Sequence, residues 1–443
     1  MDLTCNSWIA SPFRLAMTNK VRLRGSLLTH RRTAESCACA MTYTKTLIFL
    51  FALAASVFAD ESQDEIHFVP LNSLTESLAS APYTAEALPQ EDSVQTPYGL
   101  PREIMPLWDS LSIKQKAAQM VMVYMTPASF MLEHEFGGYL VMKNHLKNLD
   151  KFTDNIRTVN ANMRIKPLVA ADQEGGYVNR ISVVSPQWEH TPSAKQMRTM
   201  SEDSIQALAK RIGAVLDSIG INLNLAPVLD PAKDSRGKNS FMEESKRSWG
   251  EDTLNASKVR AFVQGMRESN VQCVSKHFPG YDSWTNSDHQ IAVSATPKAK
   301  IAKNVEFFKT LSIDIPVTMM SSVRFIRISN RPAVFEPRIV KMAREMSPET
   351  IILTDDLWGV SLRAWVSGTE RVTSKTYPAK DFRKLVRTAL MAGNDMFMIT
   401  YPQKAVEMVN YLAALSKQSK YYRERIEESA ARILKMKYKA GLL

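Results

Sequence analysis

Lys276 and His277 open the stretch SKHFPGYDSWTNSDHQ (residues 275–290), which holds two of the chain's seven histidines, two aspartates and a Pro-Gly turn. Little in it could fill a core, and loops of this length inside a compact domain are functional or disordered. A Lys-His pair followed by a polar loop that ends in a second histidine, His289, is a candidate for binding and proton transfer. A second stretch, IILTDDLW (351–358), sets Asp355 and Asp356 behind an apolar run. A carboxylate at the end of a buried strand is costly unless it has a partner or a task. Nucleophilic attack on an anomeric carbon is one such task, and capping the next helix is the bland alternative.

ADQEGGYVNR (171–180) offers Asp172 and Arg180 around Gly175-Gly176. A carboxylate can accept two sugar hydroxyls and a guanidinium can hold amide or carboxylate oxygens, or the two can simply pair with each other. Arg247 sits in KRSWGED, either facing a ligand or lying in a solvated turn, and NLNLAPVLD ends on Asp230. Other chemistries lack their residues. There is no HExxH or other His/Cys metal grouping, no G-x-S-x-G elbow, and no glycine-rich phosphate turn in YMTPASFMLEHEFGG.

These stretches share a position relative to the predicted elements. Short β-rich runs are expected at Val121–Met125, Tyr139–Met142, Leu168–Ala171, Asn222–Ala226, Val271–Ser275, Val317–Ser321, Ile351–Thr354 and Met396–Thr400. Amphipathic segments lie between them, among them DSIQALAKRIGAVLDSIG, NASKVRAFVQGMRESN, EPRIVKMAREMSPE and DFRKLVRTALMAGN. Strands alternating with helices imply parallel βαβ units. Eight of them fit a closed (β/α)8 TIM-type barrel, an α/β fold with a single catalytic domain, better than a doubly wound open sheet. A barrel presents its chemistry on the loops that follow its strands. Asp172, Asp230, Lys276-His277 and Asp355-Asp356 all fall there. Ser112 and Gln115 form a capping-box signature ahead of the first helix.

The bulk numbers are those of a globular protein, 45% hydrophobic and 23% charged. Of the formal charge of +11, a net of +5 falls in residues 1–59, so no basic block remains elsewhere to argue for nucleic acid. Within that leader, MTYTKTLIFLFALAASVFA (41–59) has a lysine, a short apolar run and a small residue before Asp60. These are the marks of a secretory signal peptide, with a run too short for a span of about 20 residues. We expect a true start at Met41, export to a periplasmic or extracellular location, and no stable membrane span after cleavage. Three of the four cysteines (Cys5, Cys37, Cys39) lie in the leader, leaving Cys273 alone in the mature chain. Residues 60–106 read as an acidic linker or surface strap, and 107–443 as the barrel.

Taken together, KHFPG…DH, DQEGG…R, APVLD, TDDLW and the closing RIEESAARILKMKYKAGLL resemble family 3 glycoside hydrolases. More narrowly they are similar to the single-domain bacterial β-N-acetylglucosaminidases that act on cell-wall fragments. The resemblance implies a barrel, retention of anomeric configuration and no cofactor. It implies Asp355 as nucleophile, and Asp172, Arg180, Arg247, Lys276 and His277 as substrate-binding residues. It implies His289 as the general acid/base on a flexible loop. The expected substrate is an oligosaccharide or muropeptide, with a monomeric enzyme; a related β-glucosidase would want a second domain for which there is no room.

This chain departs from the family at one place. Where the family reads Asp-Ser-His, it has Ser287-Asp288-His289, and Tyr281-Asp282 replaces the usual His-Gly. A serine at 287 can hydrogen-bond but adds no negative charge to support an imidazolium. Either Asp288 or Asp282 takes over that role, or the scaffold is a sugar-binding protein with impaired catalysis.

Overall fold

In the computed structural model, residues 96–250, 255–369, 373 and 375–443 are described. The expectations for the leader, and for the linker up to residue 95, lie outside the described residues. Eight strands pair in parallel in the order β10-β1-β2-β3-β4-β5-β7-β9. They are β1 Val121–Tyr124, β2 Gly138–Val141, β3 Leu168–Ala171, β4 Leu223–Asn224, β5 Gln272–Phe278, β7 Val317–Met320, β9 Ile351–Leu353 and β10 Phe397–Ile399. The ring closes where Leu353 bridges in parallel to Met396 and the Thr354 N–H donates to the Met396 carbonyl at 2.9 Å. This is the expected TIM-type barrel.

The strands read as apolar runs because both of their faces are covered. Every residue of β2, β3, β7 and β9 is buried. Truncating one of them, Ile352→Ala for instance, should cost about 2–5 kcal/mol. The helices follow the predicted segments: Glu202–Ser218, Ala256–Arg267, Pro337–Met346 and Ala379–Ala392. The helix Ile113–Gln119 starts on the expected capping box, with Ser112 and Gln115 satisfying each other's backbone N–H groups.

Two features were not foreseen. The turns and short helix at 97–110 pack Leu100, Ile104, Trp108 and Leu111 against Ala430, Ala431 and Leu434 of the C-terminal helix Lys420–Lys439. A second, two-stranded sheet joins β6 (Val293–Ser294) to β8 (Arg324–Phe325). It ties the far end of the loop after β5 to the loop after β7, and so fixes where the 279–290 segment returns.

At the N-terminal end of the barrel Asp395, fully buried, accepts hydrogen bonds from Arg425, Arg432, Ser429, Arg344 and the Ile352 N–H. This cluster clasps the C-terminal helix to the strands. In the same C-terminal helix, Lys437 is buried and donates to Gln119 Oε1 at 2.7 Å. Among the described residues no helix is long and apolar enough to cross a membrane.

Candidate active site

The loops after β3, β4, β5, β7 and β9 converge on one rim. Asp172 follows β3 directly; its Oδ1 accepts from Lys276 Nζ at 2.7 Å and its Oδ2 from Arg180 at 3.1 Å. Two residues on, Glu174 forms an ion pair with the same Lys276 Nζ at 2.6 Å and holds Arg247 in a fork, with Nε at 2.7 Å and Nη2 at 2.8 Å. The result is one chain of alternating charge, Arg180–Asp172–Lys276–Glu174–Arg247, drawn from the loops after β3 and β4 and from the end of β5. Burial would raise both carboxyls, but the adjoining cations outweigh it. Lys276 and then Arg180 hold Asp172 well below the usual carboxylate range, while Arg247 and then Lys276 bring Glu174 to about 2.

The β3 loop is shaped for this. Gly175 and Gly176 have φ of +85° and +58°, and a Cβ on Gly175 would lie 2.0 Å from the Pro192 carbonyl oxygen. Only glycine fits that turn, and the turn delivers Glu174 inward. Gln173 buttresses the other limb by accepting from the N–H groups of Arg180 and Ile181. The expected pairing of Asp172 with Arg180 is therefore present, yet as one link of a larger network. Arg247, for which a solvated turn was the alternative, is instead clamped against a buried carboxylate.

On β5 the pairing with β7 shifts register between Ser275 and Phe278, which re-aims Lys276 and His277. His277 Nδ1 lies 2.6 Å from Asp230 Oδ2, and the His277 and Tyr281 N–H groups both donate to Asp230 Oδ1, at 2.8 and 2.6 Å. With a carboxylate as acceptor, Nδ1 carries the proton and Nε2 is the ring atom left for a ligand.

The two aspartates after β9 have separate tasks. Asp355 accepts from Ser322 Oγ at 2.7 Å and from the Asp356 N–H at 2.8 Å, and remains partly open to solvent. Asp356 turns toward β10, accepting from the Trp358 and Thr400 N–H groups and from Thr400 Oγ1 at 2.7 Å. Burial pushes its carboxyl up to about 6. Asp356 thus ties off the turn ahead of the helix Val360–Ser367, whose N-cap is Gly359 with no side-chain hydrogen bond, so neither aspartate caps that helix.

The loop after β5 is internally stapled. Tyr281 Oη donates to the Thr285 carbonyl and accepts from the Ser287 N–H at 2.7 Å, and the Asp288 N–H donates to Asn286 Oδ1 at 2.9 Å. Asp282 is buried, and its Oδ2 accepts from the Thr296 hydroxyl. Asp288 is exposed to solvent. Burial, then the Asp355 carboxylate, push its pKa up, while Arg247, His289 and His277 act in the opposite sense. His289 is exposed, and its ring makes no hydrogen bond among the described residues. Of the residues singled out in the sequence, the geometry joins Asp172, Arg180, Arg247 and Lys276 directly, sets His277 on the same strand end, and brings Asp288 within electrostatic reach of Asp355.

Three participants had gone unassigned: Glu174, Asp230 and Ser322. Asp230 was legible as a rim carboxylate without a role, and Glu174 as an acid next to a Gly-Gly turn. Ser322 carried no signal. Among the described residues no group of three or more His, Cys, Asp or Glu is arranged to hold a metal ion.

Comparisons with known proteins bear on the barrel that carries this rim. Residues 112–436 match the family model described as the glycosyl hydrolase family 3 N terminal domain. A beta-hexosaminidase from Mycobacterium tuberculosis, LpqI, is 28% identical over 289 residues, 63% of this chain and 69% of that protein. One from Shewanella frigidimarina is 28% identical over 240 residues, 51% of this chain and 68% of that protein. The crystal structure of a beta-N-acetylhexosaminidase from Beutenbergia cavernae superposes with a TM-score of 0.63 at 25% identity, covering 74% of this chain and 99% of that one. With more than half of the chain matched and the barrel in place, the chain belongs to glycosyl hydrolase family 3 and is a glycoside hydrolase.

Proposed function

We propose that the protein is a retaining exo-β-N-acetylglucosaminidase that releases terminal N-acetylglucosamine from peptidoglycan-derived or related oligosaccharides. The observation that carries this reading is the chain of charge from Arg180 to Arg247 set beside a partly open Asp355. In it, Asp172 and the cations around it take the hydroxyls of the terminal sugar, and Arg247 and His277 Nε2 complete the ring of polar contacts. Asp355 attacks C1 as the bond from C1 to the glycosidic oxygen breaks, and that oxygen takes a proton from the loop after β5. Water then attacks C1 of the glycosyl-Asp355 ester, returning its proton to the loop and freeing the aspartate. Two displacements give a product of unchanged β configuration. Ser322 and the Asp356 N–H hold the carboxylate in place for the attack.

The reading is tested with 4-nitrophenyl β-N-acetylglucosaminide, the matching β-glucoside and a muropeptide, following the first-formed product by proton NMR. Preference for the N-acetylglucosaminide with the β anomer appearing first is expected; preference for the glucoside, or the α anomer first, contradicts it. A second reading, a sugar-binding protein on the same scaffold, is favoured by Ser287 in the place of the family's aspartate. It predicts binding of the muropeptide without turnover of any substrate. Export is a further part of the proposal, and N-terminal sequencing of protein from its native host should begin at or near Asp60.

A further inference from the structure

We propose that Trp284, with Arg236 beside it, forms the subsite for the leaving group: an indole on which the second sugar of the substrate stacks, and a guanidinium for a carboxylate that this sugar carries. The proposal rests on the N-acetylglucosaminidase reading above and names what lies beyond the bond that is cut. Trp284 is 61% exposed, and of the tryptophans among the described residues it alone is exposed. It stands at the crest of the loop after β5, yet that crest is fixed. The Phe241 N–H donates to the Ser283 carbonyl at 3.0 Å, the Thr285 N–H to Ser283 Oγ at 3.2 Å, and Tyr281 Oη to the Thr285 carbonyl. Both chain neighbours of the indole are therefore held. Tyr281 in turn packs edge-on against the His277 ring, with centroids 5.8 Å apart, so the crest is tied to a residue of the site.

Arg236 comes from the loop after β4, which also carries Arg247. Its guanidinium lies over the indole, 5.7 Å from the ring centroid. Asp234 aims it there. That carboxylate is buried; its Oδ2 accepts from Arg236 Nε at 2.8 Å and Nη2 at 2.6 Å, and its Oδ1 from the backbone N–H groups of Arg236 and Lys238. More than half of the Arg236 side chain stays exposed, and residues 231–240 set Lys233, Arg236 and Lys238 against Asp234 alone. A lone exposed apolar side chain is ordinary. One pinned on both sides, beside a cation forked by a buried carboxylate, is a built platform. Because it is set before binding, little side-chain freedom is lost when a ring settles on it. A pyranose lays its C–H face on an indole, whose ring face is electron-rich, and a carboxylate on that sugar meets the guanidinium. The terminal sugar fills the ring of contacts from Arg180 to Arg247, so the sugar bonded to it emerges over the rim that these two loops build.

Trp284→Ala and Arg236→Gln are compared with the unaltered protein on three substrates: N-acetyl-β-glucosaminyl fluoride, which has no second sugar, the neutral disaccharide of N-acetylglucosamine, and N-acetylglucosaminyl-N-acetylmuramic acid, whose leaving sugar carries a carboxylate. Trp284→Ala should lose about fivefold or more in kcat/KM on both disaccharides and less than about twofold on the fluoride. Arg236→Gln should lose about threefold on the acidic disaccharide alone, a loss that fades at high salt and is recovered by Arg236→Lys. Equal loss on all three substrates by Trp284→Ala, or no loss on any, overturns the subsite and leaves the hydrolase intact. Equal loss on the two disaccharides by Arg236→Gln, or none, overturns the preference for an acidic sugar. No turnover of any of the three by the unaltered protein removes the underlying reading instead. Calorimetric binding of the acidic disaccharide then decides the subsite: weaker binding by Trp284→Ala supports it and unchanged binding overturns it. Melting curves of the variants separate loss of fold from loss of binding.

Discussion

Two buried clusters of opposite charges stand at opposite ends of the same barrel. At the N-terminal end Asp395 is surrounded by Arg344, Arg425 and Arg432, with Ser429 and a backbone N–H filling its remaining acceptor sites. At the C-terminal end Asp172 and Glu174 share Lys276 and are flanked by Arg180 and Arg247. Both pair carboxylates with cations, but the geometry differs. Asp395 is saturated by its own protein from three sides and has no direction left for a ligand. Asp172 has two partners and is partly open. The first arrangement fastens a helix; the second leaves acceptor capacity pointed at the place where a sugar hydroxyl can arrive. An enclosed, over-supplied carboxylate thus indicates stability, and a partly supplied one at a strand's C-terminal end indicates function.

That contrast can be broken or sharpened by substitution. The largest effect is expected at Asp355: replacement by Ala should lower turnover on the order of 10⁴-fold or more with the melting temperature nearly unchanged, since the residue lies on the rim and supports no packing. If Asp356→Ala proved inactive while Asp355→Ala kept its activity, the two roles would have to be exchanged. Asp395→Ala should do the reverse. It leaves three arginines around an empty centre and should destabilise by about 3–5 kcal/mol, read by denaturant unfolding, while the folded fraction keeps its kcat. Glu174→Gln lies between these. It loosens Arg247 and unbalances Lys276, and should raise KM about tenfold or more with a smaller drop in kcat and a lowered melting temperature.

Acid should affect both ends alike. The flanking cations overcome burial and bring Asp395 and Glu174 each to about 2. A carboxylate whose folded-state pKa is depressed contributes stability that is complete above its unfolded value of about 4. That contribution fades as pH falls from about 4 to about 2. The melting temperature should therefore drop through that window, and the drop should be shallower in Asp395→Asn. The smallest effect is expected at Lys437, where burial pushes the ammonium down to about 7. The folded chain sheds that proton while the unfolded chain keeps it until about pH 10.4, so stability rises with pH between about 7 and 10. Lys437→Met should flatten that rise and gain about 1 kcal/mol at neutral pH, less the cost of leaving Gln119 Oε1 without its donor.

The barrel was legible because its signals are local. Each buried parallel strand is a short apolar run, each helix a periodic one, and the eight strands appear within a few residues of the expected ends, β3 with both ends as expected. The sheet of β6 and β8 was not legible, since two-residue strands have no pattern and form only because two loops return side by side. The site was partly legible for a related reason. Asp172, Lys276 and Asp355 announce themselves at strand ends. Glu174 gains its meaning only from Arg247, 73 residues away, and Asp230 only from His277, 47 residues away. No spacing rule encodes such pairs. The loop after β5 is the instructive case. Its sequence offers Asp282 and Asp288 alike to the site, and the structure separates them: Asp282 is buried against Thr296, Asp288 is exposed.

The central claim is that the reaction passes through a covalent ester on Asp355. An activated 5-fluoro N-acetylglucosaminyl fluoride forms such an ester quickly and releases it slowly, so the intermediate can be held and its mass measured. The account predicts one added sugar per chain, with peptide mapping placing it on Asp355 within the segment 351–358. The Asp355→Ala protein should take up no label. A sugar mapped to Asp356 or to any other residue, or turnover that gives the α anomer with no labelled protein, would contradict it.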